Sequence, residues 1–310
     1  MSKVYVRPTL YFGDNALQVL SILQQQKIMI VCDTFLIETG VLELITSCLD
    51  RSNQWKLFDG VISDPTLTAI TDGVRRAVAF QPDVVIGFGG GSAIDMAKGV
   101  IYFAVRGGLI ARPRFIAIPT TSGTGSEMTS VAVLTDPADN RKHVIQDDML
   151  YADDAILETK LVLSVPPVVT AATGLDVLTH AVEAYVATGA NHYTDALAEK
   201  AVELVLQSLL TCFRDGKNKA ARADLHEAAS LAGIAFNLAG LGAVHSLAHQ
   251  VGGQYHIPHG RACALLLTAV IEFNCQDDKT KDKYAALAYR LGLVNRDESA
   301  TNNRITCENK

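Results

Sequence analysis

Short apolar runs alternate with amphipathic stretches along the first half of the chain. Lys27–Cys32, Asp83–Phe88 and Arg114–Pro119 are apolar and rich in branched residues, which predicts three β-strands. Between the first two, residues 65–80 carry apolar side chains at helical spacing, and we predict a helix there with Asp64 as its N-cap. Continuous apolar strands separated by helices are typical of parallel strands buried on both faces. The predicted fold class of this half is α/β, with a doubly wound, Rossmann-like parallel sheet.

The hydrophobic pattern changes after residues 165–167. Helical spacing then dominates and Ala and Leu become frequent, in the stretches 170–187, 193–214, 220–238 and 242–252. We therefore predict an α/β domain over residues 1–165 and an all-α domain over residues 166–294. Residues 295–310 are polar and aperiodic, which predicts a disordered tail.

The composition is that of a soluble globular protein. With 310 residues the chain has the length of two domains, and its 49% hydrophobic residues exclude a disordered chain. The net charge of −6 argues against nucleic acids and anionic membranes as partners. No apolar run approaches the ~20 residues of a membrane span, and the N-terminal residues lack a signal-peptide pattern. We expect a cytoplasmic location.

The six cysteines are scattered along the chain, and no two have the spacing of a zinc knuckle or a redox pair. Most lie in apolar stretches, where Cys behaves as a small hydrophobic residue. They are interpreted as reduced, mostly buried thiols without a chemical role: Cys32, Cys48, Cys212, Cys263, Cys275 and Cys307.

A glycine-rich turn links the second predicted strand to the next helix, at residues 93–105. It consists of Gly89, Gly90, Gly91 and Ser92. Glycines permit close backbone approach, and a helix N-terminus presents free N–H groups, so a diphosphate is the natural ligand. The alternative is a turn that only packs the strand closely against the helix.

Asp33 follows the first predicted strand and precedes the glycines, unlike the acidic residue of the common G-x-G-x-x-G pattern. A carboxylate there would accept hydrogen bonds from ribose hydroxyls and repel a 2′-phosphate, which favours NAD over NADP. Asp33 could equally cap a helix that begins at Thr34. After the third strand, residues 120–127 (TTSGTGSE) suit contacts to a phosphate or a nicotinamide, or form an ordinary polar turn.

Histidines recur at helical spacing in the second half. Asp176 and His180 are four residues apart, as are His245 and His249, and His259 follows in a short turn. A single pair would be read as a packing or surface feature, but two pairs and a third histidine in apolar surroundings favour a divalent metal site. Nitrogen and oxygen ligands fit Fe²⁺, Zn²⁺ or Mn²⁺. The remaining histidines are interpreted as surface or cap residues: His143, His192, His226 and His256.

Together these motifs resemble the iron-dependent (group III) alcohol dehydrogenases, whose fold is shared with glycerol dehydrogenase and dehydroquinate synthase. The resemblance extends from about residue 11 to about residue 293. It rests on GFGGGSAIDMAKG (87–99), IPTTSGTGSEMTS (118–130), ATGLDVLTHAVEAY (172–185) and GAVHSLAHQVGGQYHIPHG (242–260). Within the family, the chain looks most like the propanol and ethanol dehydrogenases of propanediol or ethanolamine breakdown.

The resemblance implies that the domain 1–165 binds NAD and that the domain 166–294 binds metal and substrate, and it implies a set of site residues. Asp176, His180, His245 and His259 become the ligands of Fe²⁺, with Zn²⁺ as the alternative ion, and His249 becomes a catalytic proton-relay group. The implied contacts to NAD are Asp33, Gly89, Gly90, Gly91, Ser92, Asp95, Thr120, Thr121, Thr129 and Lys142.

The activity implied by the resemblance is reversible, NAD-linked oxidation of a small primary alcohol such as 1-propanol or ethanol to its aldehyde. A polyol dehydrogenase acting on glycerol or 1,3-propanediol is an alternative. A dehydroquinate-type reaction is disfavoured, since only Arg261 lies near the proposed ligands in the sequence. The resemblance also implies a homo-oligomer and association with a bacterial microcompartment.

Family members continue beyond the point where the resemblance ends, near Leu293. We therefore expect a truncated or frame-shifted product, and an inactive homologue that serves only as an assembly partner is a further alternative.

Overall fold

The computed structural model describes residues 4–137, 141–255 and 257–294. Six parallel strands form one sheet in the order β1-β8-β5-β4-β2-β3, while β6 and β7 form a separate antiparallel hairpin. The strands are β1 (Thr9–Phe12), β2 (Lys27–Val31), β3 (Gln54–Phe58), β4 (Val84–Gly89), β5 (Arg114–Pro119), β6 (Val131–Asp136), β7 (Arg141–Gln146) and β8 (Asp154–Leu157). The prediction of a doubly wound parallel sheet is confirmed.

Helices cover both faces of the sheet and make up the second half of the described chain. They are α1 (Thr34–Glu38), α2 (Leu42–Thr46), α3 (Leu67–Phe80), α4 (Gly91–Arg106), α5 (Pro167–Val186), α6 (His192–Arg214), α7 (Lys219–Ala239), α8 (Ala243–Tyr255), α9 (His259–Asn274) and α10 (Asp278–Arg290). Short 3₁₀ helices lie at Ala16–Ile22, Ser126–Met128, Asp148–Leu150 and Thr159–Val162.

Alternation along the buried strands builds two cores, one on each face of the sheet. Val85 on β4 packs with α3 and α4, whereas its neighbours Val84 and Ile86 pack with α1, α2 and the first 3₁₀ helix. A third core joins α5, α6 and α7 through small Ala and Val side chains. The predicted strands and long helices therefore lie where the apolar periodicity placed them, to within a few residues.

The start of α3 differs from the prediction. Thr66 is the N-cap, and its hydroxyl accepts the N–H of Ala69 at 3.3 Å, so Asp64 is not the cap. Pro65 lies outside the helix because its carbonyl accepts the N–H of Thr135 on β6, which holds this segment extended. Asp64 instead pairs with Lys142.

The change from strands to helices falls between β8, which ends at Leu157, and α5, which begins at Pro167. No strand occurs beyond Leu157 in the part of the chain that the structure describes. The domain bounds themselves stay a prediction, and the predicted disordered tail, 295–310, lies outside the described residues.

Among the described residues, no single helix has the length and hydropathy of a membrane span. The required length and hydropathy are met only by two helical segments taken together, Lys219–Ala239 and Ala243–Gly252, which are bent by 107° relative to each other.

Candidate metal centre and cofactor cleft

The carboxyl ends of β2 and β4 lie side by side at the point where the strand order reverses. From β2 the chain continues to β3 on one side, and then places β4 on the other side of β2. In open α/β sheets, ligands bind in the crevice at such a switch point. Asp33 follows β2 there, and the glycine turn 89–91 follows β4.

The three glycines of this turn have different roles. Gly89 has φ +147°, and an added Cβ would lie 2.7 Å from the Cβ of Ala93. At Gly91 it would lie 2.6 Å from the side chain of Thr124. These two close contacts agree with the alternative interpretation of the turn, in which the glycines only allow the strand to pack closely against the helix. Gly90, the N-cap of α4, meets nothing nearer than 3.5 Å, so the backbone there is open to a phosphate group.

Asp33 is both a helix cap and a neighbour of the glycine turn. Its Oδ1 accepts the N–H of Leu36 at 3.0 Å, which caps α1. Its Oδ2 lies 3.5 Å from the position that a Cβ on Gly89 would occupy. The cap occupies Oδ1 and leaves Oδ2 facing the glycine turn, so the cap does not exclude contact with a ribose, which stays a prediction.

We expect Asp33→Asn to raise the ratio of kcat/KM with NADP to kcat/KM with NAD. The amide oxygen retains the cap, while the charge that repels a 2′-phosphate is lost. Hydrogen bonds to a charged group contribute about 1.5–3 kcal/mol, so NAD should bind roughly 10- to 100-fold more weakly. An unchanged ratio would restrict Asp33 to capping α1.

Two of the predicted NAD contacts, Asp95 and Thr129, take part in internal hydrogen bonds. Asp95 accepts the hydroxyl of Ser126 at 2.6 Å and a backbone N–H of β6 at 3.0 Å. The Thr129 hydroxyl accepts from the Lys98 ammonium at 2.9 Å. In this arrangement both side chains hold the loop 120–129 against α4.

Lys98, which the sequence did not single out, lies at the centre of this network. It is fully buried, and its ammonium faces four oxygens at 2.6–3.0 Å, from Ser126, Thr129 and Val131. Burial lowers the pKa of Lys98 to about 8, against the opposing charge of Asp95. Burial also raises the pKa of the neighbouring Glu127 to about 7.

The loop 120–125 connects the glycine turn to the helical half. Thr120 is buried and donates its N–H to the Gly89 carbonyl at 2.9 Å, while Thr121 lies beside Gly90. A Cβ on Gly123 would lie 2.8 Å from the Cβ of Thr173 on α5. Asp176 is one turn further along that helix, so the loop spans from the proposed phosphate site to the metal ligands.

Four residues place donor atoms together at the inner side of the helical half. The Oδ1 of Asp176 lies 3.6 Å from the Nε2 of His245, 3.5 Å from the Nε2 of His259 and 4.0 Å from the Nε2 of His180. Asp176 and His180 share a face of α5, while α8 and α9 supply one histidine each. The structure thus brings together all four residues that the resemblance implied as ligands.

This cluster fits a divalent cation. Asp176 Oδ1, the atom that faces the histidine nitrogens, is buried without a hydrogen-bond partner among the described residues, an arrangement that costs free energy unless something binds it. Burial alone would raise the pKa of Asp176, but the charges of the histidines hold it well below its usual range. Burial lowers the pKa of His180 to about 3, which keeps its imidazole neutral, as a metal ligand must be.

A thiol also lies in the cluster. The Sγ of Cys263 is 3.7 Å from the Nε2 of His259 and 4.0 Å from the Nε2 of His245, and the donor atoms of Asp176, His245, His259 and Cys263 all lie within 4.8 Å of one another. Cys263 is a free, buried thiol, as predicted, but its position beside the two histidines was not foreseen. A signal was present, since Cys263 follows His259 by four residues.

Glu183 orients His245 and was missed as well. Its Oε2 lies 2.6 Å from the His245 Nδ1, and its Oε1 accepts the N–H of Val244 at 2.7 Å. The hydrogen bond fixes which imidazole nitrogen faces the cluster. Glu183 lies on the same face of α5 as Asp176, at i+7, which is the signal that could have found it.

His249 lies at the edge of the cluster rather than in it. Its ring centroid is 5.1 Å from that of His259 and 6.3 Å from that of His245, and the side chain is half-buried. Burial lowers the pKa of His249 to about 4. Lys142, on β7, lies near enough for its charge to oppose protonation of His249 and His259.

His226 corrects another interpretation, because it is buried rather than on the surface. Its Nδ1 lies 3.1 Å from the Ser122 hydroxyl, which joins α7 to the loop 120–125. Nearby, a Cβ on Gly125 would lie 2.7 Å from the Cα of Gly233, so the loop and α7 are in close backbone contact. His143 and His192 are exposed as expected, and His256 lies outside the described residues.

Burial lowers the pKa of His226 to about 4, from an ordinary 6.5. Between these values the unfolded chain binds a proton that the folded chain does not, so stability is lost as pH falls from 6.5 to 4. At 1.36 kcal/mol per pKa unit, we expect about 3 kcal/mol from this residue. Urea unfolding at pH 7 and pH 4.5 should show a larger loss in the wild type than in His226→Gln. Equal losses would contradict the assignment.

Comparisons with known proteins show the family to which the chain belongs. Residues 8–159 match the family described as "Iron-containing alcohol dehydrogenase". Residues 170–307 match the family described as "Fe-containing alcohol dehydrogenase family, C-terminal". The chain belongs to the iron-containing alcohol dehydrogenase family. The predictions of an NAD- and metal-dependent alcohol dehydrogenase are confirmed at this level. The match also runs past Leu293, where we had placed the end of the resemblance.

Two curated relatives are similar over nearly the whole chain. The 1-propanol dehydrogenase PduQ of Citrobacter freundii is 47% identical over 288 residues, covering 93% of this chain and 78% of the relative. Alcohol dehydrogenase 4 of Saccharomyces cerevisiae is 37% identical, covering 96% of this chain and 82% of the relative.

Two solved structures share the fold. A 1,3-propanediol oxidoreductase superimposes with a TM-score of 0.89 at 35% identity, covering 94% of this chain and 80% of its own. Sulfoacetaldehyde reductase from Bifidobacterium kashiwanohense, in complex with NAD⁺, gives a TM-score of 0.82 at 26% identity, with coverages of 96% and 90%.

Proposed function

We propose that this chain catalyses the reversible, NAD-linked oxidation of a small primary alcohol, with 1-propanol and ethanol as the leading substrates. The observation that carries the proposal is the position of the Asp176–His245–His259 cluster, which the loop 120–125 joins to the open backbone at Gly90. The relatives support the substrate class, since one is named a 1-propanol dehydrogenase and the other an alcohol dehydrogenase.

Each residue of the cleft has a part in this reaction. Asp176, His180, His245 and His259 would hold the divalent cation, and the turn at Gly90 would hold the diphosphate of NAD. When bound, the cation supplies Lewis-acid polarisation of the alcohol hydroxyl, and NAD supplies the hydride-accepting ring. Glu183 accepts a hydrogen bond from the Nδ1 of His245, so the Nε2 of that imidazole faces the cation. His249 passes the released proton from the cluster towards solvent.

The test is to measure kcat/KM of the full chain, loaded anaerobically with Fe²⁺ or with Zn²⁺, for NADH formation. We expect higher values with 1-propanol and ethanol than with glycerol or 1,3-propanediol. The reverse order would establish the polyol alternative, which the similarity to a 1,3-propanediol oxidoreductase favours. Metal-loaded chain that binds NAD but oxidises none of these alcohols would establish the inactive homologue.

We further propose that the chain forms a homo-oligomer in the cytoplasm and associates with a bacterial microcompartment. The similarity to a dehydrogenase named PduQ supports the second part. Light scattering of the purified chain tests the first, and co-purification with microcompartment shells tests the second. A monomer, or a chain absent from washed shells, would contradict the respective part.

A further inference from the structure

The donor atoms around Asp176 have the spacing of ligands to one tetrahedral ion, and Cys263 is one of them. With a metal–sulfur distance of 2.3 Å and a metal–nitrogen distance of about 2.05 Å, neighbouring sulfur and nitrogen ligands lie about 3.6 Å apart. The Cys263 Sγ lies 3.7 Å and 4.0 Å from the two histidine Nε2 atoms. For oxygen and nitrogen ligands at such distances the separation is about 3.3 Å, and Asp176 shows 3.5 Å and 3.6 Å.

His180 fits this tetrahedron less well than Cys263 does. Its Nε2 lies 4.0 Å from the Asp176 Oδ1, and its ring is stacked between Phe236 at 4.5 Å and His245 at 4.4 Å. The stacking restrains the imidazole from both sides. The thiol thus competes for the fourth position with His180, one of the four residues proposed above to hold the cation.

A second observation points to a cation independently of the thiol. Asp176 is 4% exposed, and its Oδ1, the atom nearest the two histidine nitrogens, is buried without a hydrogen-bond partner in the described part of the chain. Cys263 itself is fully buried at the base of α9, so its sulfur is directed into the cluster and not towards solvent.

We propose that Cys263 binds the divalent cation as a thiolate and shifts the preference of the site from Fe²⁺ towards Zn²⁺. On binding, the S–H bond breaks, a sulfur–metal bond forms, and the proton leaves to solvent. Thiolate is a softer ligand than the imidazole of His180, with which it competes, and soft ligands favour Zn²⁺ over Fe²⁺. The inference rests on the proposed function, since it concerns the same metal site.

The decisive measurement is the absorption spectrum of the full chain with Co²⁺ in place of the native ion. A thiolate ligand gives a sulfur-to-cobalt charge-transfer band in the near ultraviolet, in addition to the visible bands of the ion. We expect the band in the wild type and in Cys275→Ser, and its loss in Cys263→Ser. Cys275 is the matched control, because it follows Cys263 by twelve residues at the end of the same helix, about 18 Å away.

The outcomes separate the two proposals. Cobalt bound without the charge-transfer band, or a band that persists in Cys263→Ser, overturns the role of Cys263 but leaves the metal site intact. A wild-type chain that binds no Co²⁺ removes the metal site, and with it the proposed function. If Cys263→Ser fails to bind cobalt, the spectra of the wild type and Cys275→Ser decide. A charge-transfer band in both supports a thiolate ligand other than Cys275, and its absence from the wild type overturns the proposal.

Metal competition provides the second readout. Loss of a partner that only orients a ligand costs about 10- to 100-fold in metal affinity, so loss of a direct ligand should cost at least about 10-fold for Zn²⁺. We expect the ratio of bound Zn²⁺ to bound Fe²⁺, after anaerobic dialysis against both ions, to fall in Cys263→Ser, because Fe²⁺ gains less from a thiolate and so loses less affinity. An unchanged ratio would overturn the proposed effect on metal preference.

Discussion

His245→Ala should yield a protein that has lost its metal and its alcohol oxidation together. His245 presents its Nε2 3.6 Å from the Asp176 Oδ1 and its Nδ1 2.6 Å from Glu183. Removing the imidazole deletes a donor atom and leaves two buried carboxylates without their shared partner. Because loss of an orienting partner already costs about 10- to 100-fold in metal affinity, this loss should be larger. Elemental analysis and NADH formation from 1-propanol are the two measurements.

His249→Ala is the matched comparison on the same helix. Its ring lies 6.3 Å from that of His245, and we expect the variant to keep most of its metal. Its kcat should still fall, since positioned proton transfer contributes about 10²- to 10⁴-fold, although a chain of waters would reduce the loss. A metal-free His249→Ala beside a loaded His245→Ala would reverse the assignment. Loss of metal from both would favour four histidines around Asp176.

The sequence predicts the parallel sheet well because buried parallel strands are apolar without interruption. β2 and β5 lie within the predicted runs, β4 extends one residue beyond its run to Gly89, and these strands form the centre of the sheet. The edge strands β1 and β3 are partly exposed, so they lack that continuous pattern. The β6–β7 hairpin was not anticipated either.

The metal cluster could be predicted in part, for a reason that lies in helix geometry. Residues four apart on a helix share a face, so the Asp176–His180 pair could be found within one segment. Glu183 and Cys263 carry a weaker signal of the same kind, at i+7 from Asp176 and i+4 from His259, because their contacts within the cluster come from the packing of α5 against α8 and α9. The same holds for His226, whose partner Ser122 is 104 residues away.

Local signals also compete with tertiary contacts. Asp64 and Thr66 are both good N-cap residues, and the sequence alone favours the one that precedes a proline. In the structure, the pairing of Pro65 with β6 holds this segment extended and moves the helix start to Leu67. Asp64 is thereby left at φ +55°, within reach of Lys142.

Glu183→Ala should weaken metal binding without removing any atom of the cluster itself. The carboxylate is 3% exposed, and it accepts from the backbone N–H of Val244 and from that of His245, besides facing the imidazole at 2.6 Å. Without it, nothing fixes the tautomer or the ring orientation of His245. Mutation of such an orienting partner costs about 10- to 100-fold in metal affinity, which competition with a chelator measures for Zn²⁺.

Glu183→Gln separates orientation from the structural role of the same side chain. The amide oxygen can still accept from Val244 at the first turn of α8, so the metal-free protein should keep much of its stability. The amide NH₂ group then faces His245, and because it is a donor it cannot accept from the imidazole as the carboxylate oxygen does. We therefore expect metal affinity to fall in both variants, while urea stability of the metal-free chain falls mainly in Glu183→Ala. If stability fell while Zn²⁺ affinity stayed unchanged in both variants, Glu183 would only join α5 to α8, and His245 would be oriented by its packing against His180.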